Sequence, residues 1–241
     1  GRKSIIPSLF LKKNSKKKII NIHIQNPKIA LKHFDFVVCP EHDNLEGLNV
    51  LRTKGAIHYL TLEEINNSKD YLLNKLERDK DVITLILGGP NKYYNYSDEN
   101  MISIFSRINR MLKEHNLQLV VIPSNRTPKK TIELSKEYFT DNRTVIDVVD
   151  KSAYLSSLAL SKYLVVTCDS TSMISEAALT GKPVYVAMIP ALRNDKRFQR
   201  FRSLFEKLNI IKILDNKLET WNYEKLNEAD RIALEIKRKI N

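Results

Sequence analysis

Four short stretches of this 241-residue chain place hydroxyls, carboxylates or glycines where an apolar run ends. The richest is Thr167-Cys-Asp-Ser-Thr-Ser-Met-Ile-Ser-Glu176. Here Asp169, Ser170, Thr171 and Ser172 can each cap a following helix. A helix N-terminus leaves backbone N–H groups unpaired and carries a positive dipole, so such a turn suits a diphosphate. Glu176, one turn further on, suits the two hydroxyls of a ribose. The same residues also make an ordinary capped helix with Glu176 in water, and spacing alone does not choose. Gly88-Gly89-Pro90-Asn91 follows another apolar run, and paired glycines let a backbone approach a phosphate or simply turn tightly. Ser124-Asn125-Arg126-Thr127 closes a third run, with Arg126 a cation for a departing diphosphate. Cys39-Pro40-Glu41-His42-Asp43 closes the fourth, where Glu41, His42 or Asp43 can serve as the general base that activates an acceptor. A lone loop histidine is also a common structural hydrogen bonder. His23, His33, His58 and His115 lack even that setting and are read as structural.

To present these stretches together the chain needs parallel strands alternating with helices, since ligands of open α/β sheets bind at the carboxyl ends of strands. Strands are expected at 19–24, 34–39, 49–51, 82–87, 117–122, 145–149, 163–167 and 184–187. Thr61-Leu-Glu-Glu64 matches a capping box opening one helix through Leu72 and Leu76. Asp98 is placed to cap a helix carrying Ile102, Phe105, Ile108 and Leu112, and Thr127-Pro128 reads as an N-cap followed by proline at the first helical position. Gly181 is a natural helix stop. A final helix over about 223–240 is expected to pack across two halves. The polar run Glu77 to Asp81 suggests a division into residues 1–78, an incomplete N-terminal Rossmann-like half, and 79–241, a C-terminal nucleotide-sugar-binding half. A first half of that size is thin, so a leading βα unit is expected to be missing.

The composition, 42% hydrophobic, allows a sizeable core, and no apolar run reaches the ~20 residues a bilayer span needs. No secretory signal pattern is present in the sequence. Cys39 and Cys168 lack ligand-spaced partners, so neither a metal site nor a disulfide framework is expected. The formal charge of +12 raises nucleic acid or an anionic membrane as partner. Lysine outnumbers arginine, isoleucine and asparagine are abundant, and no nucleic-acid-binding motif accompanies the charge, so most of it reads as a solvated surface and nucleic acid is not the expected partner. Two clusters stand apart, Lys12–Lys18 and Arg193–Arg202. In the second, Phe198, Phe201, Phe205 and Leu208 share one helical stripe, leaving the basic side chains for water, an anionic acceptor or acidic lipid.

Taken together, these segments resemble the mitochondrial fission ELM ("elongated mitochondria") family of plant and bacterial proteins. The resemblance is carried by Gly1-Arg2-Lys3-Ser4, Ile24-Gln-Asn-Pro27, Phe36 to Asp43, Asn49-Val50 with Thr53-Lys-Gly-Ala56, Gly88 to Asn91, Ser124 to Thr127, Asp169 to Glu176, Gly181 to Tyr185 and Arg197 to Phe201, in order along nearly the whole chain. The family has a further N-terminal unit with an Asp-Gly-Lys-type turn that is absent here, in keeping with an N-terminally truncated, bacterial-type member. The resemblance implies a GT-B-like α/β fold of two Rossmann-like halves facing a cleft, the first incomplete. Its second half is similar to that of the bacterial N-acetylglucosaminyltransferase of peptidoglycan lipid-intermediate synthesis. By position, phosphate contacts would fall to Ser170 through Met173 and the ribose contact to Glu176. The donor-site set is then Gly88, Gly89, Asn91, Ser124, Arg126, Thr127, Asp169, Ser170, Thr171, Ser172, Met173 and Glu176. The implied activity is inverting, metal-independent transfer of a sugar from a nucleoside diphosphate, which is a co-substrate and not a cofactor. The other reading is a non-catalytic membrane-surface adaptor, as the plant members' name suggests. The implied location is the cytoplasm, with peripheral contact at the inner membrane as an extension of it.

Overall fold

The structure is a computed structural model that describes residues 2–140 and 143–240; Gly1, which opens the first resembling motif, lies outside them. The chain forms two compact units, one of residues up to Ile57 together with those from Asn227 on, the other from His58 to Leu226.

In the first unit, strands β1 (Ile22–Ile24), β2 (Phe36–Pro40) and β3 (Val50–Thr53) pair in parallel in the order β1-β2-β3. Side chains of a strand alternate between faces, and β2 shows this directly. Val37 and Cys39 pack with Ile5 and Leu9 of helix α1 (Ile5–Asn14), while Val38 packs with Ile232 and Ile236 of helix α9 (Glu228–Ile240). Buried Glu228 fastens α9 to the end of β3, accepting Lys54 N–H at 2.7 Å and two bonds from Arg231, whose guanidinium also reaches Arg52 O. The final helix therefore starts five residues later than expected, at Glu228, and packs on the first unit's own sheet.

The second unit holds strands β4 (Asp81–Leu87), β5 (Leu117–Pro123), β6 (Arg143–Val145), β7 (Tyr163–Thr167), β8 (Val184–Ala187) and β9 (Ile211–Ile213). They form one parallel sheet in the order β6-β5-β4-β7-β8-β9. Every residue of β5, β7 and β8 is buried, as are the last six of β4, which is why these strands read as continuous apolar runs: a sheet covered on both faces has no polar side. The connecting helices are α4 (Asp98–Glu114), α5 (Lys129–Tyr138), α6 (Lys151–Leu160), α7 (Thr171–Ala178) and α8 (Lys196–Lys207). Gly181 does sit left-handed, at φ 74°, between α7 and β8.

Local chemistry explains where the elements differ from expectation. The helix opened by Thr61, whose hydroxyl accepts Glu64 N–H at 3.1 Å, breaks into α2 (Leu62–Asn67) and α3 (Asp70–Leu73). Ser68 competes with the helix through its own side chain, its Oγ donating to Glu64 O. Both short helices pack on α6, so residues 62–73 go with the second unit, which begins at His58 and not at the expected residue 79. Ser97, not Asp98, caps α4. The strand expected over 145–149 lies at β6 instead, because Asp150 turns the chain into α6 by accepting Ser152 and Ala153 N–H. Among the described residues no helix is long and apolar enough to cross a membrane.

Candidate functional site

With β4 numbered first within its sheet, the second unit has the 3-2-1-4-5-6 order of dinucleotide-binding folds, and connections leave β4 and β7 in opposite directions. The crevice at the carboxyl ends of that strand pair is where such sheets bind ligands. Gly88-Gly89 leaves β4 there and Cys168-Asp169-Ser170 leaves β7.

Asp169 organises this junction. Its carboxylate has no exposed surface. Oδ2 accepts Gly89 N–H at 3.0 Å and Arg126 at 2.8 Å, and Oδ1 lies 2.6 Å from the Tyr96 hydroxyl. Tyr96 is also 2.8 Å from Thr167 Oγ1. A phenol has one proton, so Tyr96 donates it to the carboxylate while Thr167, which accepts Gly88 N–H at 2.8 Å, supplies the second bond. Burial, followed by the Asp169 charge, holds the Tyr96 phenol well above its ordinary pKa. The glycines are thus used differently from the sequence reading, their N–H groups directed to Thr167 and Asp169. A Cβ on Gly88 would lie 2.3 Å from Asp169 Oδ2, and one on Gly89 2.1 Å from Arg126 O, so the close approach they permit is that of their own neighbours.

The β5 loop locks onto the same junction. Ser124 Oγ donates to Gly88 O at 2.9 Å, and Arg126 donates to Gly89 O at 2.9 Å while its side chain stays 44% exposed. Thr127, expected to cap α5, instead accepts Ser124 N–H at 2.8 Å and sits 2.5 Å from Gly88 O; Pro128 takes the N-cap position. Asn91 shapes a turn, its Oδ1 accepting Tyr93 and Tyr94 N–H. That turn sends Tyr94 into a buried triad, bonded to Asp195 at 2.5 Å and to Arg202 at 3.0 Å, with Arg202 also 3.0 Å from Asp195.

Ser170 caps α7 by accepting Met173 N–H at 3.3 Å. Ser172 and Arg126 are the exposed members of the expected donor set, and Thr171 and Met173, which flank Ser172 at the α7 N-terminus, are half-buried, as are Asn91, Ser124, Thr127 and Glu176. Glu176 belongs to a separate pair, accepting the Tyr154 hydroxyl of α6 at 2.6 Å. Burial raises its carboxyl above the ordinary range, opposed in part by that bond. An acid raised in this way favours folding below its unfolded value of 4.5, and the benefit is lost as pH rises through the folded value. Glu176→Gln, which keeps an acceptor for Tyr154, should therefore melt higher than the parent at pH 7. The difference should vanish near pH 4, and paired melting curves at the two pH values check this.

Glu41, His42 and Asp43 lie in the first unit, on one 3-10 turn ended by left-handed Asn44. Glu41 is exposed, whereas the His42 ring is buried at 2% and its Nε2 is 3.9 Å from Asp43 Oδ1. Cys39 and Cys168 are buried thiols, the latter pushed by burial to about 11. Among the described residues no group of three His, Cys, Asp or Glu is placed to hold a metal. On α8, Phe198, Phe201 and Phe205 are buried, and so is Arg202, leaving Arg193, Lys196, Arg197 and Arg200 as the exposed basic residues of the cluster. Sequence reasoning missed Tyr96, Tyr154 and the Tyr94–Asp195–Arg202 triad, and gave Thr167 no role beyond ending its strand. Only Arg202 had a local signal, being four residues after Phe198 and three before Phe205, on the apolar stripe itself.

Two parallel sheets with this topology define an α/β fold of the GT-B class. Among solved structures, UDP-GlcNAc 2-epimerase from Methanocaldococcus jannaschii superposes with a TM-score of 0.51 at 12% identity, covering 98% of this chain and 74% of that one. The sequence matches the family described as Mitochondrial fission ELM1 over residues 1–240, and the chain belongs to that family. An uncharacterized protein of Rickettsia prowazekii (strain Madrid E) is 25% identical over 285 residues, covering 98% of this chain and 77% of the relative. Mitochondrial fission protein ELM1 of Arabidopsis thaliana is 23% identical over 269 residues, and this chain spans 62% of its length.

Proposed function

We propose that the second unit binds the nucleoside diphosphate part of a nucleotide sugar at the β4–β7 switch point. The observation that supports this is the opening of the α7 N-terminus, with Ser172 exposed and Thr171 and Met173 half-buried, at that crevice. In this reading the helix end and the exposed part of Arg126 offset the diphosphate charge, and Glu176 takes the ribose hydroxyls. The Asp169–Tyr96–Thr167 network holds the two loops in place and does not touch the ligand. The reaction proposed is transfer of the sugar to an acceptor. Of Glu41, His42 and Asp43 in the first unit, Glu41 is the one whose side chain is exposed, while the His42 ring is buried. The alternative, an adaptor held to a membrane by the basic cluster at α8, would rest on the exposed Arg193, Lys196, Arg197 and Arg200 alone, since that helix's phenylalanines are buried.

The first ligand to try is UDP-GlcNAc, the compound in the name of the structural relative, beside UDP, ADP and GDP. A ligand at about a hundred times its Kd adds about 2.7 kcal/mol to the native state. For a domain of this size that raises Tm by roughly 5–10 °C. A shift with a nucleoside diphosphate and its sugar, but not with the free sugar, is expected. No shift with any nucleotide would remove the reading.

A further inference from the structure

We propose that the cavity between helices α4 and α8 of the second unit binds a sugar that carries one acidic group, a sugar phosphate or a sugar acid. The inference does not rest on the nucleotide-binding reading, whose residues on α7 are not among those that line this cavity. The cavity measures about 430 Å³, within the roughly 300–1,000 Å³ of small-molecule sites. Asn100, Ser103 and Arg107 follow one another at one-turn spacing, so they share a face of α4. The α8 side supplies Asp195, which precedes the helix, with Gln199 and Arg202, again at one-turn spacing. Met188 to Ala191, the segment that leaves β8, completes the lining.

The polar groups decide what fits. Arg202 and Asp195 are buried and pair with each other at 3.0 Å, so their charges offset and they brace the wall. Arg107 differs. It is exposed, and its bond goes to the neutral carbonyl of Leu214 at 2.8 Å. Its charge stays available, and a guanidinium presents a planar fork that matches a carboxylate or a phosphate. Two amides add acceptors. Asn100 donates to Asn95 O at 3.1 Å and Gln199 donates to Asp195 Oδ1 at 2.6 Å, which leaves the carbonyl oxygen of each to accept. Ser103 brings an exposed hydroxyl to the same wall. One cation among several hydrogen-bonding groups suits one anion on a molecule of many hydroxyls, while Met188 and Pro190 offer apolar surface to the C–H face of a ring. A nucleobase is a poorer match, because no aromatic ring is among the described residues that line the cavity, and bases are held by stacking.

Calorimetric titration of the whole chain with glucose 6-phosphate, glucuronate, glucose and inorganic phosphate tests the assignment. One-site binding of glucose 6-phosphate or of glucuronate is expected, and the preference between them tells phosphate from carboxylate. Glucose lacks the anion and inorganic phosphate lacks the ring, so each should bind at least about tenfold more weakly. Arg107→Lys keeps the charge and a donor for Leu214 O but loses the fork. It should weaken binding about tenfold with an unchanged melting temperature. Ser103→Trp, a change at an exposed position, should fill the cavity and abolish binding. The proposal is overturned if neither acidic sugar binds, or if inorganic phosphate binds as tightly as glucose 6-phosphate. It is equally overturned if either variant, folded by its melting curve, binds like the parent.

Discussion

Arg202→Met should cost about 3–5 kcal/mol of folding stability, although Arg202 lies in a helix that reads as a charged surface. Its side chain is 9% exposed and that of its partner Asp195 5%. Removing one member of a buried pair leaves the other charge without its counterion, and that loss is larger than the net worth of the pair. Arg202 also donates to Tyr94, so the same change loosens the loop that follows β4. Burial alone would raise the Asp195 carboxyl, but bonds from Tyr94, Arg202 and Gln199 outweigh it and hold it below its ordinary value. A depressed acid lends stability above its unfolded value of 3.8, and that stability is lost as pH falls through the folded value. The gap between Arg202→Met and the parent should therefore narrow toward pH 3, and adding Asp195→Asn should recover part of the loss at pH 7. Urea unfolding of the three proteins checks both statements. Arg193→Gln, on the exposed end of the same cluster, should stay within about 0.5 kcal/mol.

Asp169→Ala should have the second large effect, because it removes an acceptor that several groups share. Gly89 N–H and the Tyr96 hydroxyl would be left buried without their acceptor, and each such group costs about 1–3 kcal/mol. Arg126, half exposed, can turn to water and adds little. The expected loss is about 2–5 kcal/mol, with ligand-induced stabilisation gone as well, since Asp169 ties the loop after β4 to the loop after β7. Asp169→Asn keeps an acceptor and should recover a good part of the stability. If both variants unfold with the parent's midpoint, the network is not what holds the junction.

How much of this was legible depended on the range of the interactions. Strands β4, β5, β7 and β8 are buried on both faces and so announce themselves as apolar runs, whereas the three-residue β9 is too short to stand out. Caps made by adjacent residues, such as Thr61 to Glu64, could be read directly. Thr127 could not, because its hydroxyl is drawn across to the end of β4, about forty positions away in sequence. The same holds for Tyr96, seventy-three residues from Asp169. The chemistry at the strand ends picked out the loops after β4, β5 and β7, which the parallel sheet brings to one edge. Which of their side chains face a ligand and which brace the loops is decided by long-range pairing that no local spacing encodes. Gly88 and Gly89 show this best: they are needed, but for Asp169 and Arg126.

Calorimetric titration with a uridine diphosphate sugar, run on the parent and on Glu176→Gln, tests the nucleotide site most directly. The variant keeps its bond to Tyr154, so altered binding will not be altered folding. Replacing a charged acceptor by a neutral one weakens hydrogen bonds to ligand hydroxyls by about 1.4 kcal/mol, a tenfold rise in Kd. The expected result is one-site binding by the parent, binding of the diphosphate without its sugar, and a roughly tenfold weaker Glu176→Gln that melts no lower. Equal affinity in parent and variant would remove Glu176 from the site. Absence of heat with every nucleotide, in a parent that is folded by its melting curve, would contradict a nucleotide site at the β4–β7 switch point.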